Sequence, residues 1–128
     1  MNALERWHEM VESKDTSMLD AIIADDCVFY SPIVHTPQEG KDLTVWYLTA
    51  AAEVLGGEGF RYVREIIGDK QAAMEFETVC DGIVINGIDI VTWNEQGQID
   101  SFKVMVRPLK AVNMLHSQMM AMLERLAG

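Results

Sequence analysis

Residues 87–108 constrain the fold more than any other stretch, because they have the pattern of two long strands joined by a tight turn. The turn lies at residues 94–97, which end in a glycine that can adopt positive φ without steric penalty. In the first strand, Ile88 and Ile90 lie on one face and Asp89 on the other, among further apolar residues. A carboxylate in such surroundings needs a partner, a raised pKa or a function. Asp89 is therefore the first candidate for a functional residue.

The composition favours one globular domain that spans residues 1–128, and its hydrophobic share of 49% is enough for a substantial core. The formal net charge is −10, from 10 Lys and Arg against 20 Asp and Glu. Nucleic acids and anionic membrane surfaces both require clustered basic charge. No apolar stretch approaches the length of a bilayer span. We therefore expect a protein that binds neither nucleic acid nor membranes.

The N-terminal residues and the cysteines indicate the compartment. Residues 1–9 lack the apolar core of a secretory signal. Cys27 and Cys80 are too few for a disulfide framework, and each lies in an apolar run with strand character. Both are expected to be small buried thiols in a reducing compartment, which predicts a cytoplasmic location.

Helical spacing of apolar residues predicts four helices. The first spans residues 2–13, and the second is a short helix in which Ser17 and Asp20 form a capping box, ending near residue 26. Asp42 is the expected cap of a third helix over about 43–55, closed by the glycine-rich residues 56–59. The tail forms an amphipathic helix with the apolar stripe Val112, Leu115, Met119, Met122, Leu123 and Leu126.

The remaining segments alternate with the period of strands. One strand is predicted at residues 27–31, ended by Pro32, and residues 33–40 form a loop. Four more strands are predicted at residues 60–67, 71–80, 83–93 and 99–106. Asp81 and Gly82 mark the hairpin between the second and third of these four.

This order of elements predicts an α+β fold. Its strongly curved, mainly antiparallel sheet forms a cone, with the N-terminal helices packed over the concave face and a C-terminal helix added. The opposite face of the sheet, with Ile88 and Ile90, also requires cover. In a chain of this length a second copy is the simplest cover, so we expect a homodimer through the sheet face.

Five short motifs follow one another along the chain, at residues 24–32, 39–41, 81–82, 87–89 and 95–99. Together they resemble the SnoaL-like branch of the nuclear-transport-factor-two-like superfamily, which includes ketosteroid isomerase. The resemblance covers nearly the whole chain and implies the cone-shaped, cystatin-like fold. Function does not follow from it directly, because this scaffold is reused for many chemistries.

The resemblance implies site roles one residue at a time. Asp89 falls where ketosteroid isomerase keeps a protonated aspartic acid that donates a hydrogen bond to the oxyanion. Ser31 falls where that family keeps its general-base aspartate, and Trp7 where it keeps an oxyanion-hole tyrosine. A neutral serine cannot abstract an α-proton unaided. These two differences count against ketosteroid isomerisation itself.

Strand alternation predicts an apolar, aromatic pocket on the concave face, as is typical of small-molecule sites. Its ligand-binding candidates are Trp7, Phe29, Ser31, Trp46, Tyr47, Met74, Phe76, Thr78, Val91, Trp93 and Val104. The alternative is that the same residues fill the cone and leave no cavity.

Asp89 and His35 are the catalytic candidates. Burial in the cone should raise the pKa of Asp89 and make it an acid near neutral pH. His35 lies in a loop expected near the mouth and could serve as the base, as could a bound water. No cluster of metal ligands and no phosphate-binding glycine motif occurs, so we expect no metal and no cofactor.

Three functions stay open. The first is a SnoaL-like enzyme that acts on a hydrophobic carbonyl compound by cofactor-free isomerisation, cyclisation or dehydration. The second is a non-catalytic protein that binds a small apolar ligand. The third is a dimeric structural module. A base that points into the same pocket as Asp89 would favour the enzyme. An apolar pocket with no second polar partner for Asp89 would favour the binding protein. A cone filled by side chains would favour the structural module.

Overall fold

The computed structural model describes residues 2–57 and 59–127, and at Leu126 it describes the backbone alone. Glu58, in the predicted glycine-rich loop, and the side chain of Leu126, in the predicted apolar stripe, lie outside the described residues. The elements in chain order are α1 (Ala3–Ser13), a 3₁₀ turn (Thr16–Met18), α2 (Leu19–Ile22), β1 (Ile23–Tyr30), β2 (Gln38–Glu39), α3 (Lys41–Leu55), β3 (Arg61–Ile67), β4 (Gln71–Cys80), β5 (Ile83–Trp93), β6 (Ile99–Arg107) and α4 (Leu109–Ala127).

The six strands form one curved sheet in the order β2-β1-β6-β5-β4-β3. The pair β1–β6 is parallel, and the other neighbours are antiparallel. The α+β class and the mainly antiparallel cone are therefore confirmed. Among the described residues, no helix is long and apolar enough to cross a membrane.

The hairpin of β4 and β5 has the predicted bounds. Asp81 and Gly82 both adopt positive φ, at 50° and 76°, as a tight hairpin requires. The predicted alternation of β4 is also observed, because Met74 and Phe76 are buried on the concave face while Val79 is exposed on the convex face. These two strands form the middle of the wall that carries the site.

The start of the chain differs from the sequence-based prediction. Asp15, and not Ser17, caps the turn before α2, and it accepts a hydrogen bond from the Ser17 amide at 3.1 Å. The strand β1 starts at Ile23, four residues before the predicted start, because Ile23 pairs in parallel with Ile99 of β6. This pairing extends the strand into a segment whose apolar residues had suggested a longer helix.

The loop before α3 also differs. Residues 38–39 form the short edge strand β2, which pairs with β1. The cap of α3 is Gly40, at φ 103°, so Asp42 lies within the first turn instead of capping the helix. The Gly40 amide donates to the Cys27 carbonyl at 2.8 Å. Burial raises the pKa of the Cys27 thiol to about 11, as expected for a thiol enclosed in the core.

Close packing at one glycine shapes the concave face. Gly87 of β5 lies opposite Phe76 of β4, and a Cβ atom at Gly87 would collide with the Phe76 ring. The missing side chain lets the Phe76 ring lie across β5, where it stacks on Phe60 with ring centroids 5.2 Å apart. An aromatic wall therefore covers this part of the sheet and borders the cavity described next.

Candidate functional site

A cavity of about 690 Å³ lies on the concave face, between α1, the end of α3 and the strands β3 to β6. Apolar side chains form most of its wall, including Leu48, Leu55, Phe60, Phe76, Phe102 and Val104. Polar side chains gather on one side, and these are Trp7, His8, Tyr62, Glu65 and Asp89. Four further charged residues also line it, and these are Glu12, Lys14, Glu53 and Arg61. The volume lies within the range of known small-molecule sites, and a mostly apolar lining is also usual there.

Asp89 is the most deeply buried of the acidic residues in this lining, with 6% of its surface exposed. Tyr62 donates a hydrogen bond from Oη to Asp89 Oδ2 at 2.7 Å. Burial raises the pKa of Asp89 from 3.8 to about 7, and the bond from Tyr62 opposes that rise. Asp89 therefore exchanges its proton near neutral pH, as the sequence predicted for an acid in an apolar cone.

A hydrogen-bond chain with a fixed direction holds Asp89. Trp7 Nε1 donates to Tyr62 Oη at 2.9 Å, and Tyr62 Oη in turn donates to Asp89. An indole N–H can only donate, so the Tyr62 oxygen must accept from Trp7 and direct its own proton to Asp89. Burial and the nearby Asp89 carboxylate raise the pKa of Tyr62 well above its usual value, so Tyr62 stays neutral.

The two carboxyl oxygens of Asp89 have different surroundings. Tyr62 occupies Oδ2, and within residues 2–57 and 59–127 no protein group forms a hydrogen bond with Oδ1. No side-chain oxygen that is fully enclosed in this part of the chain lacks a partner. Oδ1 therefore faces the cavity, where it can hold the proton and donate it to a ligand.

A bulge in β3 brings a second polar pair into the cavity. The register of β3 against β4 shifts between Tyr62 and Arg64, so Tyr62 and Glu65 both face inward although three positions separate them. His8 of α1 lies 2.5 Å from Glu65, measured from Nε2 to Oε1. The His8 ring also meets the Tyr62 ring edge to face, with centroids 5.8 Å apart. The pair of His8 and Glu65 and the pair of Tyr62 and Asp89 therefore form one continuous polar side of the cavity.

The structure brings some of the sequence-predicted site residues together in this cavity. Four of them line it, and these are Trp7, Phe76, Asp89 and Val104. Phe29, Ser31 and Tyr47 instead line a smaller apolar cavity of about 70 Å³ beneath α4, which shares Val104 as a wall.

The other candidates lie elsewhere. Met74, Thr78 and Val91 are buried in the core, while Trp46 and Trp93 are half-buried. His35 is exposed on the loop before β2, and it is not among the described residues that line the large cavity. Asp89 is thus brought together with Tyr62, and no contact with His35 is seen within the described part of the chain.

Ser31 and Thr78 use their hydroxyl groups within the fold. Ser31 Oγ accepts from the backbone amides of Ile33 and Val34, at 3.0 and 3.3 Å, and so shapes the loop after β1. Thr78 Oγ1 donates to the Leu55 carbonyl at 3.2 Å, which ties β4 to the end of α3. Both bonds are structural, and the one at Ser31 is local whereas the one at Thr78 joins two elements.

Sequence reasoning missed three residues of the polar side, namely Tyr62, Glu65 and His8. Strand alternation puts only residues of the same parity on one face, and the bulge in β3 breaks that rule between Tyr62 and Glu65. His8 lies four residues after the apolar Leu4 in α1, so helical spacing could have placed it on the covered side of the helix.

Comparisons with known proteins agree with this architecture. A family model described as a SnoaL-like domain matches residues 4–102. A solved steroid delta-isomerase from Pseudomonas aeruginosa is 29% identical, with a TM-score of 0.92, over 98% of this chain and 93% of that one. A bacterial protein with a cystatin-like fold from Silicibacter pomeroyi is 33% identical, with a TM-score of 0.85, over 93% of this chain and 83% of that one.

A SnoaL-like polyketide cyclase from Shewanella denitrificans has a similar fold, with a TM-score of 0.66 at 15% identity, over 90% of this chain and 95% of that one. A search of curated proteins found no match.

Proposed function

The chain belongs to the SnoaL-like domain family, and from its cavity we propose that it binds a small hydrophobic carbonyl compound and performs cofactor-free acid–base chemistry on it. The reactions that this chemistry covers are isomerisation, cyclisation and dehydration. Each of them can proceed through an enol or enolate, whose oxygen needs a hydrogen-bond donor in a site from which water is largely excluded.

The placement of Asp89 Oδ1 carries this proposal. Burial keeps a large share of Asp89 protonated near neutral pH, because its pKa is about 7. A protonated Oδ1 donates to the carbonyl oxygen of a ligand, and this bond strengthens as negative charge develops there. The surrounding wall of Phe60, Phe76 and Phe102 takes up the apolar part of the ligand.

The bonds from Trp7 and Tyr62 support the same role. They keep Asp89 Oδ2 occupied, so that Oδ1 is the oxygen that meets the ligand. They also fix the carboxyl group in one orientation before the ligand arrives, which lowers the cost of binding. The similarity to a protein named as a steroid delta-isomerase supports isomerisation as one of the reactions.

Binding of a carbonyl fluorophore tests this function. A propionyl-dimethylaminonaphthalene probe changes its emission when its carbonyl accepts a hydrogen bond in an apolar site, and it does not titrate near neutral pH. For the wild-type protein, we expect the affinity to fall at least tenfold from pH 6 to pH 9, as Asp89 loses its proton around pH 7.

Two variants make the test specific. Asp89→Asn keeps a neutral amide donor at every pH, so its affinity should stay level across this range. Tyr62→Phe removes the bond that lowers the pKa of Asp89, so the midpoint of the fall should move to higher pH. Asp26→Asn is the matched control, since Asp26 is exposed on β1. Equal pH profiles in the wild type and in Asp89→Asn would show that Asp89 does not contact the ligand.

A further inference from the structure

A second titratable pair, His8 and Glu65, lines the cavity beside the hydrogen-bond donor. Glu65 Oε1 and His8 Nε2 are 2.5 Å apart, and the two side chains are 25% and 33% exposed. Chemistry through an enolate needs a base as well as a donor, because a proton must leave the carbon next to the carbonyl. Ser31 cannot supply that base, and its hydroxyl is occupied by the backbone of its own loop.

The strand register places Glu65 at a suitable distance from Asp89. Glu65 of β3 pairs with Met74 of β4, and Met74 pairs with Asp89 of β5, so the three residues form one row across the concave face. Two strand spacings separate the Cα atoms of Glu65 and Asp89 by roughly 10 Å. A ring system held between these two side chains in the cavity can therefore present its carbonyl oxygen to Asp89 and a nearby carbon to Glu65.

The two oxygens of Glu65 have different surroundings. Oε1 is bound to His8 Nε2, whereas in the described part of the chain no protein group forms a hydrogen bond with Oε2. The titratable and charged groups that share this cavity are Glu12, Lys14, Glu53, Arg61, Tyr62 and Asp89. Arg64, the residue before Glu65 in β3, forms an ion pair with Glu75 instead.

We propose that Glu65 is the catalytic base of this site and that His8 is its positioning residue. This assignment rests on the proposed function. The C–H bond next to the carbonyl breaks, its proton passes to Glu65 Oε2, and its electron pair forms the enolate. The enolate oxygen accepts a hydrogen bond from Asp89, and Glu65 returns the proton to carbon. The reaction needs no oxidant and no cofactor.

His8 acts through Glu65. With its proton on Nε2, the imidazole donates to Oε1 and fixes the carboxylate plane, so that Oε2 faces the cavity. A change at His8 should therefore lower the rate of proton transfer without weakening the binding of the ligand.

Hydrogen–deuterium exchange of beta-tetralone in D₂O tests the assignment. This bicyclic ketone has acidic protons next to its carbonyl, and proton NMR follows their loss without any knowledge of the natural substrate. We expect exchange to be faster with the wild-type protein than in buffer alone. In Glu65→Gln this acceleration should be at least a hundredfold smaller. Glu65→Asp should restore part of it. His8→Gln should lower the kcat of exchange about tenfold and leave the KM for beta-tetralone unchanged, as expected for a residue that orients the base and does not bind the ligand.

Binding of the propionyl fluorophore separates the two proposals. Glu65→Gln should bind the fluorophore as the wild type does, which also shows that the variant folds. Glu9→Gln, an exposed change on α1, should leave both measurements unchanged. Exchange in Glu65→Gln at the wild-type rate would overturn the base assignment, as would a wild type that binds with the expected pH dependence but does not accelerate exchange. Failure of the wild type to bind the fluorophore would instead overturn the proposed function.

Discussion

The two faces of the sheet each carry a polar chain that runs from β3 to β5, and the two chains differ in what surrounds their carboxylate. On the convex face, Glu75 contacts Arg64 at 3.5 Å and accepts a hydrogen bond from Asn86 at 2.9 Å. On the concave face, Asp89 has the neutral Tyr62 as its hydrogen-bonded partner. Glu75 thus has a cation beside it and is partly exposed to solvent, whereas Asp89 has a phenol and an apolar wall.

This difference shows how one type of side chain serves two purposes. A carboxylate with a cation beside it at the surface remains charged and contributes solubility, with an ion pair worth at most about 1 kcal/mol. A carboxylate enclosed by aromatic rings with one neutral donor keeps its proton to much higher pH. The burial of the face on which it lies, more than the type of residue, makes Asp89 a candidate for chemistry.

Truncation of the core should produce the largest contrast between the two faces. Phe102 of β6 is 1% exposed and packs against the Trp7 ring at 4.8 Å, while Met105 of the same strand is 47% exposed on the convex face. We expect Phe102→Ala to lower the free energy of unfolding by about 3–5 kcal/mol and Met105→Ala by less than about 1 kcal/mol. Urea denaturation measures both. Similar losses in the two variants would mean that both faces are equally buried.

The pH dependence of stability should show the second largest effect. The pKa of Asp89 rises from 3.8 to about 7 on folding, so the folded state binds this proton more tightly than the unfolded state. The stabilisation that the proton provides is complete below about pH 4 and is lost as the pH rises to about 7, by up to about 4 kcal/mol. The Asp89→Asn variant has no carboxyl proton at this position, so its stability does not contain this pH-dependent contribution.

Denaturation at pH 4.5, 6 and 8 checks this prediction. The free energy of unfolding of Asp89→Asn should increase relative to the wild type at each step, and the difference should level off above about pH 7. Asp26→Asn, at an exposed position, should follow the wild type. A constant difference between Asp89→Asn and the wild type would indicate that Asp89 is equally protonated in both states.

The smallest effect on folding is expected for an apolar residue of the convex face. Val84 is 59% exposed, with the exposed Val79 as its register partner on β4, and we propose that a second copy of the chain covers this face. Val84→Asp should change the free energy of unfolding of the protomer by about 0.5 kcal/mol or less. Light scattering should nevertheless show a dimer for the wild type and a monomer for the variant. A monomeric wild type at micromolar concentration would contradict this arrangement.

The parts of the molecule that the sequence predicted are those where one local rule applies without interruption. The strands β4 and β5 alternate regularly and meet at a turn whose residues accept positive φ, so their bounds and their faces followed directly. Asp89 stood out for the same reason, since the alternation of β5 places it on a buried face.

The parts that were missed depend on partners far away in the chain. The strand β1 begins before its predicted start because Ile23 pairs with Ile99 of β6. No local sequence pattern indicates such a parallel neighbour. The partner of Asp89 was missed because the bulge in β3 interrupts the alternation next to Tyr62. Hydrogen bonds between side chains on different elements depend on how those elements pack, which local sequence patterns do not encode.

The bonded series of Trp7, Tyr62 and Asp89 also has a consequence for biosynthesis. Trp7 leaves the ribosome 55 residues before Tyr62, and Tyr62 leaves it 27 residues before Asp89. The indole of the nascent first helix therefore has no acceptor until about half of the polypeptide has been translated, since Tyr62 is residue 62 of 128. The site is completed only when the strands close over that helix, so its assembly marks a late stage in the maturation of the newly made chain.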